Sequence, residues 1–168
     1  MPVPLKPKLM MHASCVALGD EGILIVGPPG SGKSDLVLQL IDRPGFGTGD
    51  ELIHGQLVAD DQTIIERRGD DLIASSPKPI AGLLEIRGQG IIRVDHRAEV
   101  RLALLVDVAR AEEVERLPEE EARISRIAGV ALPRIRIDPG KTTAAARIRA
   151  ALTARSYEEL RQFRWDGG

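Results

Sequence analysis

The sequence predicts an α/β domain built around a mixed sheet, and three observations carry that prediction. A compact buried strand, GILIVG, runs straight into a glycine-rich turn and then into KSDLVLQLID, whose Leu36, Val37, Leu40 and Ile41 recur at helical spacing. Five short β-like segments follow between Gln56 and Val94: QLVAD, QTIIER, DLIASS, LLEIR and GIIRV. Strands set so close, with turns such as Arg68-Gly69-Asp70 between them, leave no room for helical crossovers and pair antiparallel. A strongly apolar strand, LALLVDVA, and an alanine-built helix, TTAAARIRAALTA, close the pattern.

In chain order, MPVPLKPK is proline-rich, and LMMHASCVAL reads as one strand. After the GILIVG strand and the helix over 33–42, RPGFGTGDELIHG reads as a loop, functional or mobile by its length. VERLPEEEARISRIAG has acid-rich helical character, with the run Glu119–Glu121 at a solvated helix amino end. PRIRI is a strand bounded by Pro-Gly, and Thr142 or Thr143 caps the last helix. Residues 153–168 read as a frayed helix and chain end, FRWDGG in particular.

Composition narrows the function. A chain of 168 residues fits a single domain, here 1–168. Aromatics are 2% and net charge is −2, so neither a base-stacking surface nor a basic footprint for nucleic acid is expected. Cys15 is the only cysteine, which excludes an intramolecular disulfide and suits a reducing compartment. The start lacks the apolar stretch of a signal peptide, and no apolar run approaches the roughly 20 residues of a membrane span. The expectation is a cytoplasmic protein without membrane association.

GPPGSGKS, comprising Gly27, Pro28, Pro29, Gly30, Ser31, Gly32, Lys33 and Ser34, fits G-x-x-x-x-G-K-[ST] between a buried strand and a helix. Glycines let the backbone wrap a phosphate, and the helix amino end aims free N–H groups at it. Lys33 can reach the β and γ phosphates, and the Ser34 hydroxyl can ligate Mg²⁺. Such a site needs a carboxylate near the metal. Two strand ends offer one: LVADD, with Asp60 and Asp61, and LALLVD, with Asp107. Pattern alone does not choose between them.

HASCVALGDEGILIVGPPGSGKS, then LVADD, then LLEIRGQGIIRV, together resemble the catalytic domain of the HPr kinase/phosphorylase family, in its short form, over about His12 to Leu152. The LEIRGxGII string is the most specific element, because ordinary phosphate-loop proteins have nothing like it. The resemblance implies a phosphate-loop kinase domain related in architecture to phosphoenolpyruvate carboxykinase. It implies ATP and Mg²⁺ as cofactors, the phosphocarrier HPr as protein substrate, and a homohexamer.

Position by position, the resemblance makes Asp61 the proton acceptor for the attacking serine. It implies that Asp60 lies beside metal and phosphates on the opposite side of the strand. Glu85 matches a family metal ligand that shares Mg²⁺ with the serine at the Ser34 position, and His12 and Arg116 match an active-site histidine and arginine. RIDPGK, with Arg136, Asp138, Gly140 and Lys141, falls on the family's dephosphorylation loop. Three features depart from the family: Pro28 and Pro29 remove two N–H donors from the phosphate loop, RPGFGTGDELIHG is longer than the usual link, and RIDPGK lacks the full arginine complement. The expected function is serine phosphorylation of HPr with a weak reverse phosphorolysis. The alternatives are a small-metabolite kinase, which an arginine-rich lid would favour, and a non-catalytic nucleotide sensor.

Overall fold

The computed structural model describes residues 7–162, with side chains as far as Ala154. The strands are β1 (Lys8–Met11), β2 (Ser14–Leu18), β3 (Glu21–Val26), β4 (Gly55–Ala59), β5 (Thr63–Arg68), β6 (Asp71–Ser75), β7 (Leu83–Ile86), β8 (Gly90–Arg93), β9 (Glu99–Val108), β10 (Ile124–Ile127) and β11 (Val130–Ile137). Two α-helices, α1 (Lys33–Asp42) and α2 (Ala144–Gln162), complete the fold. One mixed sheet takes the order β1-β5-β6-β9-β3-β2-β4, while β7 and β8 form a separate antiparallel hairpin.

The long strand β9 organises the sheet. On one side it pairs in parallel with β3; on the other, its first half pairs antiparallel with β6 and its last residues pair in parallel with β11. Three parallel strands therefore end together at the glycine-rich turn. Alternation along β3 sends Ile23 and Ile25 to the helix-covered face, where Leu36, Val37 and Leu40 of α1 and Ile148 of α2 pack. Leu24 points the other way, into a second cluster with Cys15, Ile65, Leu72 and Ala74. Those residues come from both ends of the strand order, so the sheet curls over its own inner face. Cys15 is fully buried there, and burial pushes its thiol well above the ordinary cysteine range.

Helix α1 ends for a local reason. Pro44 disfavours helical backbone at the residue before it, and Arg43 is extended (φ −124°, ψ 122°). Pro44 also has no N–H to donate to the Leu40 carbonyl four residues back. Arg149 of α2, only 3% exposed, supplies the missing donor: its Nη2 donates to Leu40 O (3.0 Å) and Arg43 O (2.6 Å), and its Nε to Ile53 O (3.3 Å). Burial holds the Arg149 guanidinium below the ordinary arginine range. The RPGFGTGDELIHG loop is thereby pinned across α2, helped by Thr48 against Thr153 (2.6 Å).

Three expectations change. LMMHASCVAL is two strands, broken at His12 and Ala13, because β1 pairs with β5 while β2 lies between β3 and β4. VERLPEEEARISRIAG is not a helix. A short 3₁₀ turn, Ala111–Glu113, comes just before it, and the segment itself forms a second, Glu120–Arg123, and then strand β10. Pro118 interrupts the helical pattern, and a hairpin through Ala128 and Gly129, both at positive φ (48° and 79°), gives β10 its ladder on β11. Thr143 does precede α2, accepting from Arg147 N–H through its carbonyl (2.8 Å), but its hydroxyl serves the Arg147 side chain (3.1 Å) instead of a backbone cap. The helix runs through Gln162; the expectation for FRWDGG lies outside the described residues. Among the described residues, no helix is long and apolar enough to cross a membrane.

Candidate active site

The Gly27–Ser34 turn joins β3 to α1 and bends in ways that only glycine takes easily. Gly30 and Gly32 sit at φ 74° and 97°, and a Cβ on Gly32 would lie 2.9 Å from Pro139. Lys33 is buried and folds over the turn, donating to Gly27 O (2.8 Å) and Pro28 O (3.0 Å). The two prolines thus remove N–H donors but offer a carbonyl that positions the lysine. Ser31 Oγ is buried without a hydrogen-bond partner among the described residues. A buried hydroxyl left unpaired is unfavourable, and a ligand oxygen in the turn would satisfy it.

Of the two candidate acids, geometry separates the roles. Asp60 is buried against the start of α1, where Ser34 Oγ donates to its Oδ1 (3.1 Å) and lies 3.4 Å from Oδ2. The Glu85 backbone N–H donates to Asp60 Oδ2 (3.2 Å), bringing the β7–β8 hairpin over the same carboxylate. Asp107 instead faces Arg134 and, at 3.5 Å, Arg136, both reaching from β11. It is an arginine-holding acid at the strand end.

The adjacent acids do not diverge by strand alternation, because β4 ends at Ala59. They diverge through a tight turn: Gln62 N–H donates to Asp60 O (2.7 Å), and Asp61 sits at φ 65°. Aspartate is among the few non-glycine residues that tolerate this region. Its carboxylate emerges exposed, with Oδ1 3.4 Å from His12 Nε2. His12 reaches it from the break between β1 and β2. One acid is therefore turned inward to Ser34 and the next outward to His12.

The remaining candidates are dispersed. The Glu85 side chain is exposed on β7, close to Asp60 through its own backbone. Arg116 is exposed between the two 3₁₀ turns, with no hydrogen-bond or ion-pair partner among the described residues. Arg136 is drawn toward Asp107 and donates to Glu113 O (3.4 Å). Asp138 Oδ1 accepts from Gly140 N–H (2.9 Å), which shapes the Pro-Gly turn, and Pro139 O accepts from Gln39 on α1 (3.0 Å). Asp138 and Lys141 line a cleft of about 140 Å³ with Arg147, Ala111 and Val114. Two further residues enter the site. Arg87 Nη2 lies 3.6 Å from the position a Cβ on Gly30 would take, and Ser14 is buried between the two acids. A serine inside the apolar run SCVAL was the available signal for Ser14; Arg87 stood within the LEIRG string.

The chain matches the family model of the HPr serine kinase C-terminal domain over residues 4–163. It is 32% identical over 148 residues to an HPr kinase/phosphorylase of Chlorobaculum tepidum, covering 80% of this chain and 40% of that protein. It is 31% identical over 172 residues to an HPr kinase/phosphorylase of Cupriavidus metallidurans, covering 94% of this chain and 50% of that protein. The chain thus spans half or less of the length of these curated relatives. A solved structure of the Hpr(Ser) kinase/phosphatase from Coxiella burnetii superposes with a TM-score of 0.70 at 26% identity, covering 90% of this chain and 99% of that one.

Proposed function

This chain belongs to the family of the HPr serine kinase C-terminal domain, and from that premise we propose that it is an ATP- and Mg²⁺-dependent kinase for a serine of HPr. The observation that carries the reading is the division of labour between adjacent acids, Asp60 on Ser34 and Asp61 on His12. A phosphoryl transfer needs oxygen ligands at the metal and, a short distance away, a base for the attacking hydroxyl. A metabolite-kinase reading would call for an arginine-rich lid, and GFGTGDELIHG has no arginine and is pinned to α2. A pure sensor would have no use for an exposed acid paired with a histidine.

Residues Gly27 to Ser34 would hold the nucleotide phosphates, with Lys33 released from the loop carbonyls onto them. The oxygen donors Ser34, Asp60 and Glu85 fit Mg²⁺ chemically. Among the described residues no cluster of three or more His, Cys, Asp or Glu side chains is arranged for a metal, as suits Mg²⁺ shared with nucleotide phosphates and held by few carboxylates. When bound, Mg²⁺ supplies charge neutralisation at the phosphates. Asp61 takes the serine proton as the new O–P bond forms and the bond to ADP breaks, and His12 keeps its carboxylate oriented. Arg116 and Arg87 are the cationic candidates for the transferring group. The hexamer is what the resemblance implies, and the cytoplasm is the expectation from a sequence without a signal-peptide pattern or a long apolar run. Incubation with labelled ATP, Mg²⁺ and purified HPr, followed by phosphosite mapping, tests the reading; no label on an HPr serine refutes it.

Ser34→Ala and Glu85→Gln should each raise the Mg²⁺ concentration for half-maximal activity, on the order of tenfold, by removing one oxygen ligand. An unchanged Mg²⁺ titration for Glu85→Gln would take it out of the metal site. The reverse reaction should be weak and demand high phosphate, because Asp138 places a negative charge in the cleft beside Lys141 and Arg147. Asp138→Asn keeps the oxygen that accepts from Gly140 and removes the charge. It should raise pyrophosphate release from phospho-HPr at limiting phosphate by roughly two- to fivefold, with forward activity little changed. A reverse rate unmoved by this substitution would contradict the charge argument.

A further inference from the structure

Ser14 opens strand β2 and is fully buried, yet its hydroxyl belongs to no ladder. Its Oγ donates to Asp60 Oδ1 at 2.9 Å and accepts from the Asp61 backbone N–H at 3.1 Å. One hydroxyl thus grips the side chain of the first acid and the main chain of the second. Between those two contacts lies the tight turn with Asp61 at φ 65°, a backbone state that persists only where its surroundings enforce it. The closing bond of that turn, Gln62 N–H to Asp60 O, runs on the chain itself and leaves the Asp61 N–H free to be held from outside. Ser14 is the group that holds it. Without the hydroxyl, relaxation of the turn would swing Asp61 off His12 and loosen Asp60 on Ser34.

Resting on the kinase reading above, we propose that Ser14 is a positioning residue that sets both acids at once, facing Asp60 to the metal side and Asp61 to the attacking serine. It touches neither nucleotide nor protein substrate. Its loss should therefore fall on turnover and not on nucleotide affinity, since small misplacements of reacting groups act on rate.

The test uses the full chain and two readouts. In Ser14→Ala, kcat for HPr phosphorylation should fall roughly ten- to hundredfold with the KM for ATP unchanged. Ser14→Thr, which keeps the hydroxyl, should recover most of that loss. By hydrogen–deuterium exchange, the peptide spanning the Asp60–Gln62 turn should exchange faster in Ser14→Ala, with α1 and β9 unaffected. Wild-type kcat in Ser14→Ala, or a Ser14→Thr protein as slow as the alanine variant, overturns the proposal. So does an unchanged exchange rate at the turn. If the wild-type chain transfers no phosphate to HPr, the kinase reading fails, while the exchange measurement still decides whether Ser14 holds the turn.

Discussion

Asp61→Asn is expected to lower serine phosphorylation by roughly 10²- to 10⁴-fold, the range a positioned general base contributes, with ATP affinity within about twofold of the parent protein. The substitution is clean for a conformational reason. Asp61 sits at φ 65°, and asparagine accepts that left-handed region at least as readily as aspartate. The turn, the bond from the Asp61 N–H to Ser14, and the contacts of Asp60 all survive. What disappears is the basic oxygen facing His12. Asp107→Asn is the control: its carboxylate holds Arg134 and Arg136 and has no bond to the Gly27–Ser34 turn. It should cost some stability and less than about fivefold in rate. Phosphotransfer rates and nucleotide binding, measured for both variants, decide between the two acids. If Asp107→Asn is the inactive protein and Asp61→Asn turns over normally, the wrong strand end has been assigned the base.

The largest effect on stability is expected from Arg149→Met. The thioether fills much of the arginine stem's volume but donates nothing, leaving the Leu40 carbonyl without the donor that Pro44 cannot provide and the Arg43 carbonyl without its arginine partner. Hydrogen bonds from a charged donor to buried acceptors contribute about 1.5–3 kcal/mol each, with part of that offset by the desolvation of the guanidinium. A net loss of about 3 kcal/mol is expected, which for a domain of this size lowers Tm by roughly 6–12 °C. Gly45 and Gly47 pack directly on Arg149, so proteolysis should cut the RPGFGTGDELIHG loop faster as well. Chemical denaturation and limited proteolysis read both effects. A change below about 1 kcal/mol would mean that other contacts close the loop, since that is the scale of a single ordinary hydrogen bond.

The mixed α/β class, the glycine-rich turn between strand and helix, and most strands were legible because each is a short-range pattern. GILIVG–GPPGSGKS–KSDLV is readable from glycine placement and a change of apolar period from two to 3.6. The closely set strands between Gln56 and Val94 signalled their antiparallel pairing in the same way, borne out in β5 with β6 and β7 with β8. The acid-rich segment misled because its helical character was weak and local, while β11 offered a ladder just downstream that sequence composition does not display.

Adjacent Asp60 and Asp61 could be seen in the sequence as a pair needing two roles, but not how neighbouring side chains would be parted. Only the tertiary structure decided that, by ending β4 at Ala59 and bringing Ser14 from another strand to hold a positive-φ turn. It also gives different surroundings to Asp60 and Asp107, which look alike as acids after apolar runs. The difference lies in what faces each one across the fold: the serine at the start of α1 for the first, two arginines of β11 for the second. A carboxylate's work depends on the groups within about 3–4 Å of it, and for Asp60 and Asp107 those groups lie 25 to 46 residues away along the chain.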